Sequence, residues 1–107
     1  MAPLLVGDVF RNAARAVPDR VAVVIGDESL TFGQLDRLSN AGAQYLLGQG
    51  YAPGDRVVVA AETALDTVVL FAGIAKAGAV FVPVNPALRA EELTPIVRAA
   101  RPDLIVA

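Results

Sequence analysis

Cysteine and histidine are both missing from the 107-residue chain. Without cysteine, disulfides and thiolate metal sites are excluded. Without histidine, the most common general base and metal ligand is excluded as well. Positive charge is also scarce, because nine lysines and arginines stand against eleven acids and give a net charge of -2 with no basic tract. We therefore expect no nucleic-acid partner.

Polar residues are few for so short a chain. The hydrophobic fraction is 55% without counting glycine, whereas ordinary globular domains have roughly 45–50% with glycine counted. Either apolar surface meets a partner, or the chain is part of a larger domain. Residues 67–84 contain one charge, but Lys76, Gly78 and Pro83 interrupt them, so a buried helix and strand fit better than a membrane span. No targeting segment is expected, since the chain has no cationic start and Asp8 interrupts its first apolar run.

The first half of the chain predicts a helix, a short hairpin and a second helix. Asp8 is expected to cap a helix over 8–17, and a strand follows over 21–25. Turn-forming residues at 26–29 predict that 30–32 pair back as a hairpin. The second helix is expected to begin after a capping box formed by Thr31 and Gln34 and to end at Gly48 and Gly50. Its apolar side is predicted to carry Leu35, Leu38, Gly42, Tyr45 and Leu46.

The second half alternates strands and helices. The apolar run 56–61 is typical of a strand buried on both faces, and a second capping box is predicted at 63–66. The helix that follows over 64–77 is slim and apolar nearly all round, so another backbone can approach it closely. Gly78 suits a left-handed helix end. A strand is predicted over 79–84. Pro83 belongs at the end of this strand, because it has no N–H to donate.

The last helix has an apolar stripe but no clear start. A start at Glu91 places Pro95 at the limit of the first turn, where a missing N–H costs little. A start at Thr94 makes Pro95 the first helical residue. The stripe consists of Leu93, Ile96, Val97 and Ala100. A short final strand over 103–107 is also predicted to be buried on both faces.

This order of elements predicts an α/β fold. Residues 54–107 form a β-α-β-α-β segment, which favours parallel strands joined by right-handed crossovers. Residues 1–53 are the helix, hairpin and helix that precede it. We treat 1–107 as a single unit that is part of a larger N-terminal domain.

No motif in the sequence predicts a catalytic, cofactor-binding or metal site. The lysine of GIAKAG, 73–78, closes a helix instead of opening one, so it does not fit a phosphate loop. The spaced glycines of 48–54 follow a helix and precede a strand, the reverse of a dinucleotide site. Glu91 and Glu92 are adjacent and diverge on a helix, which makes a shared metal site unfavourable. Lys76 is expected to face the helix dipole and extend to water.

Five short stretches occur in an order typical of one enzyme family. They are VPDR at 17–20, LTFGQL at 30–35, GDRVVV at 54–59, GIAKAGAVFVPVNP at 73–86 and LRAEEL at 88–93. Together they resemble the N-terminal part of the adenylate-forming superfamily, which includes acyl-CoA synthetases, luciferases and the adenylation domains of peptide synthetases. LTFGQL resembles the first core motif of that family and 73–86 resembles the second. Asn85 stands where the peptide-synthetase branch often has aspartate, which favours an acyl-CoA synthetase.

The resemblance implies the function of a longer parent enzyme. Such an enzyme uses ATP and Mg²⁺ to convert a carboxylic acid into an acyl-adenylate, and then passes the acyl group to the thiol of CoA in fatty-acid metabolism. In the family, the phosphate loop, the Mg²⁺ residues and the catalytic lysine lie further along the chain. The resemblance therefore assigns no cofactor and no site residue to this segment.

We accordingly expect a cytoplasmic N-terminal fragment that is inactive alone. Its partners would be the rest of its parent enzyme or another copy of itself. The alternative is a stand-alone, non-catalytic α/β binding or assembly module. A coding sequence that continues past Ala107 into a Ser/Thr/Gly-rich loop would favour the enzyme, whereas a stop codon would favour the module.

Overall fold

A parallel sheet and a separate hairpin carry the β structure of residues 6–106, the part of the chain that the computed structural model describes. Within these residues the helices are α1 (Val6–Ala16), α2 (Phe32–Gly48), α3 (Leu65–Lys76) and α4 (Ala90–Ala100). The strands are β1 (Val21–Ile25), β2 (Glu28–Thr31), β3 (Arg56–Val59), β4 (Val80–Pro83) and β5 (Leu104–Val106). β1 and β2 pair antiparallel, and the other three strands form a parallel sheet in the order β4-β3-β5. The predicted α/β class and the parallel β-α-β-α-β order are confirmed.

The central strand β3 is the most buried part of the sheet. Val57 and Val58 are fully buried and Val59 nearly so, which confirms the prediction that this strand is covered on both faces. β5 differs, because it lies at an edge and Ile105 is 49% exposed. The prediction that the last strand is buried on both faces is therefore wrong. A continuous apolar run does not tell an edge strand from a central one.

The two crossovers run in opposite directions across the sheet. The connection through α3 places β4 on one side of β3, and the connection through α4 crosses back to place β5 on the other. Right-handed crossovers then put α3 and α4 on opposite faces of the sheet. Packing agrees with this arrangement, since Ile74 of α3 clusters with Val57 and Val59, which share one face of β3.

The helices α2 and α3 approach each other closely at Gly73. A Cβ added to Gly73 would lie 3.2 Å from the carbonyl oxygen of Ser39 and 3.4 Å from the nitrogen of Ala43. The predicted slim face of α3 is thus confirmed. The predicted face of α2 is only partly correct, because Leu38 and Tyr45 are 49% and 66% exposed. The buried face of α2 has the small residues Ser39 and Ala43 beside Gly73 of α3. Its buried residues are Leu35, Ser39, Ala43 and Leu46.

The predicted start of α2 is confirmed, as is the end of α3. The Thr31 hydroxyl accepts from the Gln34 N–H at 3.1 Å, and the Gln34 side chain accepts from the Thr31 N–H at 2.9 Å. At the other corner, Gly78 has φ 78°. The N–H groups of Ala79 and Gly78 donate to the carbonyls of Ile74 and Ala75 at 3.1 and 3.0 Å. This is a Schellman motif, which turns α3 directly into β4.

The predicted caps of two other helices are wrong. α3 begins at Leu65 without a side-chain cap, and the Thr67 hydroxyl donates to the carbonyl of Glu62 at 2.6 Å across the turn. α1 begins at Val6, so Asp8 lies inside the first turn, where it pairs with Arg11 at 3.1 Å. An acid in the first turn still complements the helix dipole, which is why sequence alone did not separate this position from a cap.

The last helix begins earlier than both starts that the sequence left open. α4 starts at Ala90 and contains Pro95 in its interior. The Glu92 carboxylate accepts from the backbone N–H and the Nε of Arg89 at 3.3 and 3.2 Å, which fixes the first turn. The proline leaves the carbonyl one turn earlier without its helical donor. That carbonyl belongs to Glu91, which is exposed, so water can take the donor's place.

Candidate functional site

The main polar cluster contains a buried charged side chain and joins the end of α3 to the first half of α2. The ammonium of Lys76 lies 2.5 Å from Oδ1 of Asp36, 2.8 Å from Oδ1 of Asn40 and 3.2 Å from the carbonyl of Asp36. The Lys76 side chain is 0% exposed, and that of Asp36 is 27% exposed. The prediction that Lys76 extends to water is therefore wrong. The last turn of α3 points into its crossing with α2, so the side chain reaches a carboxylate before it can reach solvent.

All hydrogen-bond donors of the Lys76 ammonium are occupied within this cluster. An ammonium has three N–H donors, and the three oxygens named above account for all of them. The amide of Asn40 also donates to Oδ2 of Asp36, at 3.4 Å. Lys76 therefore has no donor left for a further ligand in this arrangement. The chemistry of the cluster is structural, because it ties α2 to α3.

Sequence analysis did not identify Asp36 and Asn40 as partners of Lys76. They lie four residues apart, on the same side of α2 as Ser39, whose buried hydroxyl donates to the carbonyl of Asp36 at 3.1 Å. The signal available was Lys76 itself, the one lysine of the sequence, placed in a helix that is otherwise apolar. A lysine in such a helix is buried only when it is paired. Which acid pairs with it depends on the crossing of the two helices.

Within the glycine-spaced segment 48–54, Gly48 is the last residue of α2, and residues 49–54 form a loop, as predicted. Gly50 and Gly54 have φ 93° and 90°. The Gly54 N–H donates to the carbonyl of Gly78 at 2.9 Å, so the loop is fastened to the corner after α3. It leads into β3 and not into a helix. No helix N-terminus is therefore aimed at it, as a dinucleotide site would require.

The acids do not assemble into a metal site within residues 6–106, where no group of three or more histidine, cysteine or acid side chains could hold an ion. Glu91 and Glu92 instead lie beside Arg89, at 3.8 and 3.2 Å from its Nε. The residues described thus do not fit a Mg²⁺ ion. No step of a reaction is assigned to them.

Two open concavities are mainly apolar. One, of about 280 Å³, lies between α2 and α3 and is lined by Gly42, Leu46, Asp66, Val69, Leu70, Gly73 and Ile74. The other, of about 340 Å³, lies along α4 and is lined by Ala90, Leu93, Thr94, Val97 and Arg98. Each has a single charged side chain and no nucleophile paired with a base. These surfaces can pack against apolar groups but do not form a reaction centre. No helix in the described part of the chain is long and apolar enough to cross a bilayer.

A parallel sheet with helices on both faces, a capped α2 and the α3–β4 corner together define an α/β scaffold. Residues 10–107 match the family described as "AMP-binding enzyme". The chain belongs to this family of adenylate-forming enzymes, which confirms the resemblance drawn from the motifs.

Individual relatives are of two kinds. The chain is 42% identical over 82 residues to the medium/long-chain-fatty-acid–CoA/3-oxocholest-4-en-26-oate–CoA ligase of Mycobacterium marinum, covering 77% of this chain and 15% of that ligase. It is 36% identical over 98 residues to the PKS-NRPS hybrid synthetase acdB of Aspergillus candidus, covering 92% of this chain and 4% of the synthetase. The chain thus spans a small share of the length of both relatives.

The fold is shared with solved structures of the same superfamily. A fatty acyl CoA synthetase of Mycobacterium tuberculosis superposes with a TM-score of 0.86 at 33% sequence identity. The match covers 94% of this chain and 20% of that one. The architecture described above is therefore that of the N-terminal region of adenylate-forming enzymes.

Proposed function

We propose that the chain forms the N-terminal scaffold of an adenylate-forming ligase of the acyl-CoA synthetase type. The observation that carries this proposal is the 42% identity to a fatty-acid–CoA ligase over 82 residues. The identity to a hybrid synthetase is lower, at 36%. Asn85, in the second motif, favours the same branch.

In the complete enzyme, ATP and Mg²⁺ activate a carboxylic acid and CoA accepts the acyl group. The residues of this chain act at a distance from that chemistry. The capping box at Thr31 fixes where α2 begins, and the Lys76–Asp36 pair fixes how α2 crosses α3. The Schellman corner at Gly78 then sets the direction of β4. The chain would hold the surrounding domain in shape, and we propose a cytoplasmic location for it.

We also propose that the 107 residues alone form no adenylate. The support is that the principal interior charge, on Lys76, is engaged by α2, and that the chain covers 15% of the ligase it resembles. The measurement is ATP–pyrophosphate exchange with medium- and long-chain fatty acids. Background rates are expected. Exchange that survives removal of host enzymes would contradict this part of the proposal.

A chimaera tests the scaffold role directly. The 82 matched residues would replace the corresponding segment of the M. marinum ligase, and fatty-acid-dependent exchange and CoA thioester formation would be measured. We expect activity within about tenfold of the parent, since volume-conserving changes of a packed scaffold cost little. The same graft carrying Gly73→Leu is the control and should be inactive. Loss of activity in this control would show that the grafted segment must fold correctly for the enzyme to be active.

A second chimaera separates the two branches of the family. The segment would be placed in the adenylation domain of the hybrid synthetase, with its own acid as substrate. Activity in this host but not in the ligase would overturn the acyl-CoA assignment. A folded but inactive graft in both hosts would favour the stand-alone module.

The partner of the apolar surface is proposed to be the rest of the parent enzyme. In isolation, a second copy would take its place. Exposed side chains such as Leu38, Tyr45 and Ile105 leave apolar area facing water, and a net charge of -2 offers little repulsion. Sedimentation equilibrium of the isolated chain should show association in the micromolar range. A clean monomer that binds no hydrophobic dye would favour the stand-alone module.

A further inference from the structure

The first helix, α1, lies across the crossing of α2 and α3. It packs against both of these helices, and its second residue, Gly7, is buried directly on the last turn of α3. A Cβ added to Gly7 would lie 3.0 Å from Cα of Lys76, 3.3 Å from its Cγ and 3.3 Å from the carbonyl oxygen of Ala75. The N-terminal turn of α1 therefore covers the stem of the buried lysine.

α1 contacts both α2 and α3, but few of its described residues are buried there. Among the α1 residues whose burial the structure describes, only Gly7 is buried, and Val9 is 51% exposed. The principal aromatic contact is Phe10 against Phe71, edge to face with ring centroids 6.0 Å apart. Burial of α1 is thus much smaller than that of α3, where Ala72, Gly73 and Ile74 are all buried.

The chain is fastened again immediately after α1. The N–H of Gly33 donates to the carbonyl of Pro18 at 2.9 Å, and the N–H of Phe32 donates to the carbonyl of Arg20, also at 2.9 Å. If α1 left the surface as a unit, these hydrogen bonds would end the movement at Pro18 and leave the hairpin in place. Segments with little buried apolar surface are the ones that open without global unfolding.

We infer that α1 is a detachable cover over the Lys76–Asp36 pair, and that the ammonium of Lys76 becomes reachable from solvent only when α1 leaves. In the closed state Lys76 cannot be modified, because its side chain is 0% exposed. In the open state, Asp36 and Asn40 still hold the ammonium beside α2, and an amine-reactive acyl donor reaches it. The site is a cryptic acylation site gated by one helix.

Because Lys76 is the one lysine of the sequence, its labelling is read without ambiguity. The probe is the N-hydroxysuccinimide ester of acetic acid. The neutral amine attacks the ester carbonyl, the bond to the succinimidyl oxygen breaks, N-hydroxysuccinimide leaves as its anion, and the nitrogen loses a proton to buffer. Mass spectrometry of the Lys76 peptide gives the rate, with Nα-acetyl-lysine amide as the unprotected reference.

The urea dependence of this rate tests the proposal on the unaltered chain. Below the unfolding transition, we expect labelling to be slower than the reference and to rise only slightly with urea, because opening of one helix exposes little surface. A slope equal to that of global unfolding would show that α1 does not open separately. Labelling as fast as the reference would show that Lys76 is not covered.

A matched pair of variants tests whether α1 is the cover. Gly7→Ala and Gly48→Ala each replace a helical glycine by a better helix former. The new Cβ of Gly7→Ala meets Lys76, whereas that of Gly48→Ala has nothing within 4 Å. Labelling should rise about tenfold in Gly7→Ala, which corresponds to a weakening of α1 docking by ~1.4 kcal/mol, and stay unchanged in Gly48→Ala. Equal rates in the two variants would overturn the proposal.

Discussion

The α2–α3 crossing and the α4–β5 edge both contain many apolar residues but are packed very differently. At the crossing, backbones approach through Gly73, and the one lysine is buried against Asp36. Along α4 no residue is buried, and Ile105 of β5 is half exposed. The first region is closely packed at Gly73 and Lys76. The second region leaves apolar side chains facing solvent.

The largest expected effect is at the point of closest approach. Gly73→Leu should destabilise the fold by about 3 kcal/mol or more, since the new side chain meets backbone atoms of α2 that cannot move aside. Urea unfolding measures the change. Gly48→Leu is the control, because a Cβ there has nothing within 4 Å, and it should shift the midpoint little. Equal losses in both variants would show that the helices do not approach closely.

The buried pair should respond asymmetrically to removal of its two members. Asp36→Ala leaves the ammonium of Lys76 buried beside neutral oxygens and should cost about 2–3 kcal/mol. Lys76→Met leaves Asp36, which is partly exposed and can be hydrated, and should cost less than about 1.5 kcal/mol. The comparison is made by urea melts of both variants. A greater loss in Lys76→Met would contradict the pairing described here.

A substitution at the corner that links α3 to the sheet should cause an intermediate loss of stability. Gly78→Val places a β-branched residue at φ 78° and brings its Cβ within 3.2 Å of Cβ of Pro53. A loss of about 1–3 kcal/mol is expected from the backbone conformation. The urea midpoint measures it. An unchanged midpoint would mean that Gly78 does not adopt the left-handed conformation in solution.

The smallest effects are expected along α4. Ile96→Lys should change stability by no more than about 0.5 kcal/mol in the isolated chain, because Ile96 is 38% exposed. In the chimaeric ligase the same substitution should be damaging if a partner covers α4. A large loss in the isolated chain would show that this region already has a closed core, and the contrast between the two regions would fail.

Sequence reasoning succeeded where a local rule decides the structure. The Thr31 capping box, the left-handed Gly78 and the place of Pro83 at the end of β4 all follow from backbone chemistry. It failed where a distant element decides. The partner of Lys76, the face that α2 buries and the exposure of β5 depend on how helices and strands meet, and none of these is encoded within a few residues. At α4, the interior Pro95 is tolerated because the carbonyl that it leaves without a helical donor belongs to the exposed Glu91.

The central position of β3 also has a consequence for how the chain folds. Pairing of β3 with β4 needs only α3 and two short connections to form. Pairing of β3 with β5 must bring together residues that are far apart in sequence. Arg56 and Asp103, for example, are 47 residues apart and are joined by a 2.9 Å hydrogen bond. Loop-closure entropy favours the shorter connection first. We therefore expect β3, α3 and β4 to form the early nucleus. β5 joins late, and its slow arrival leaves one side of β3 open to pairing with another chain during synthesis.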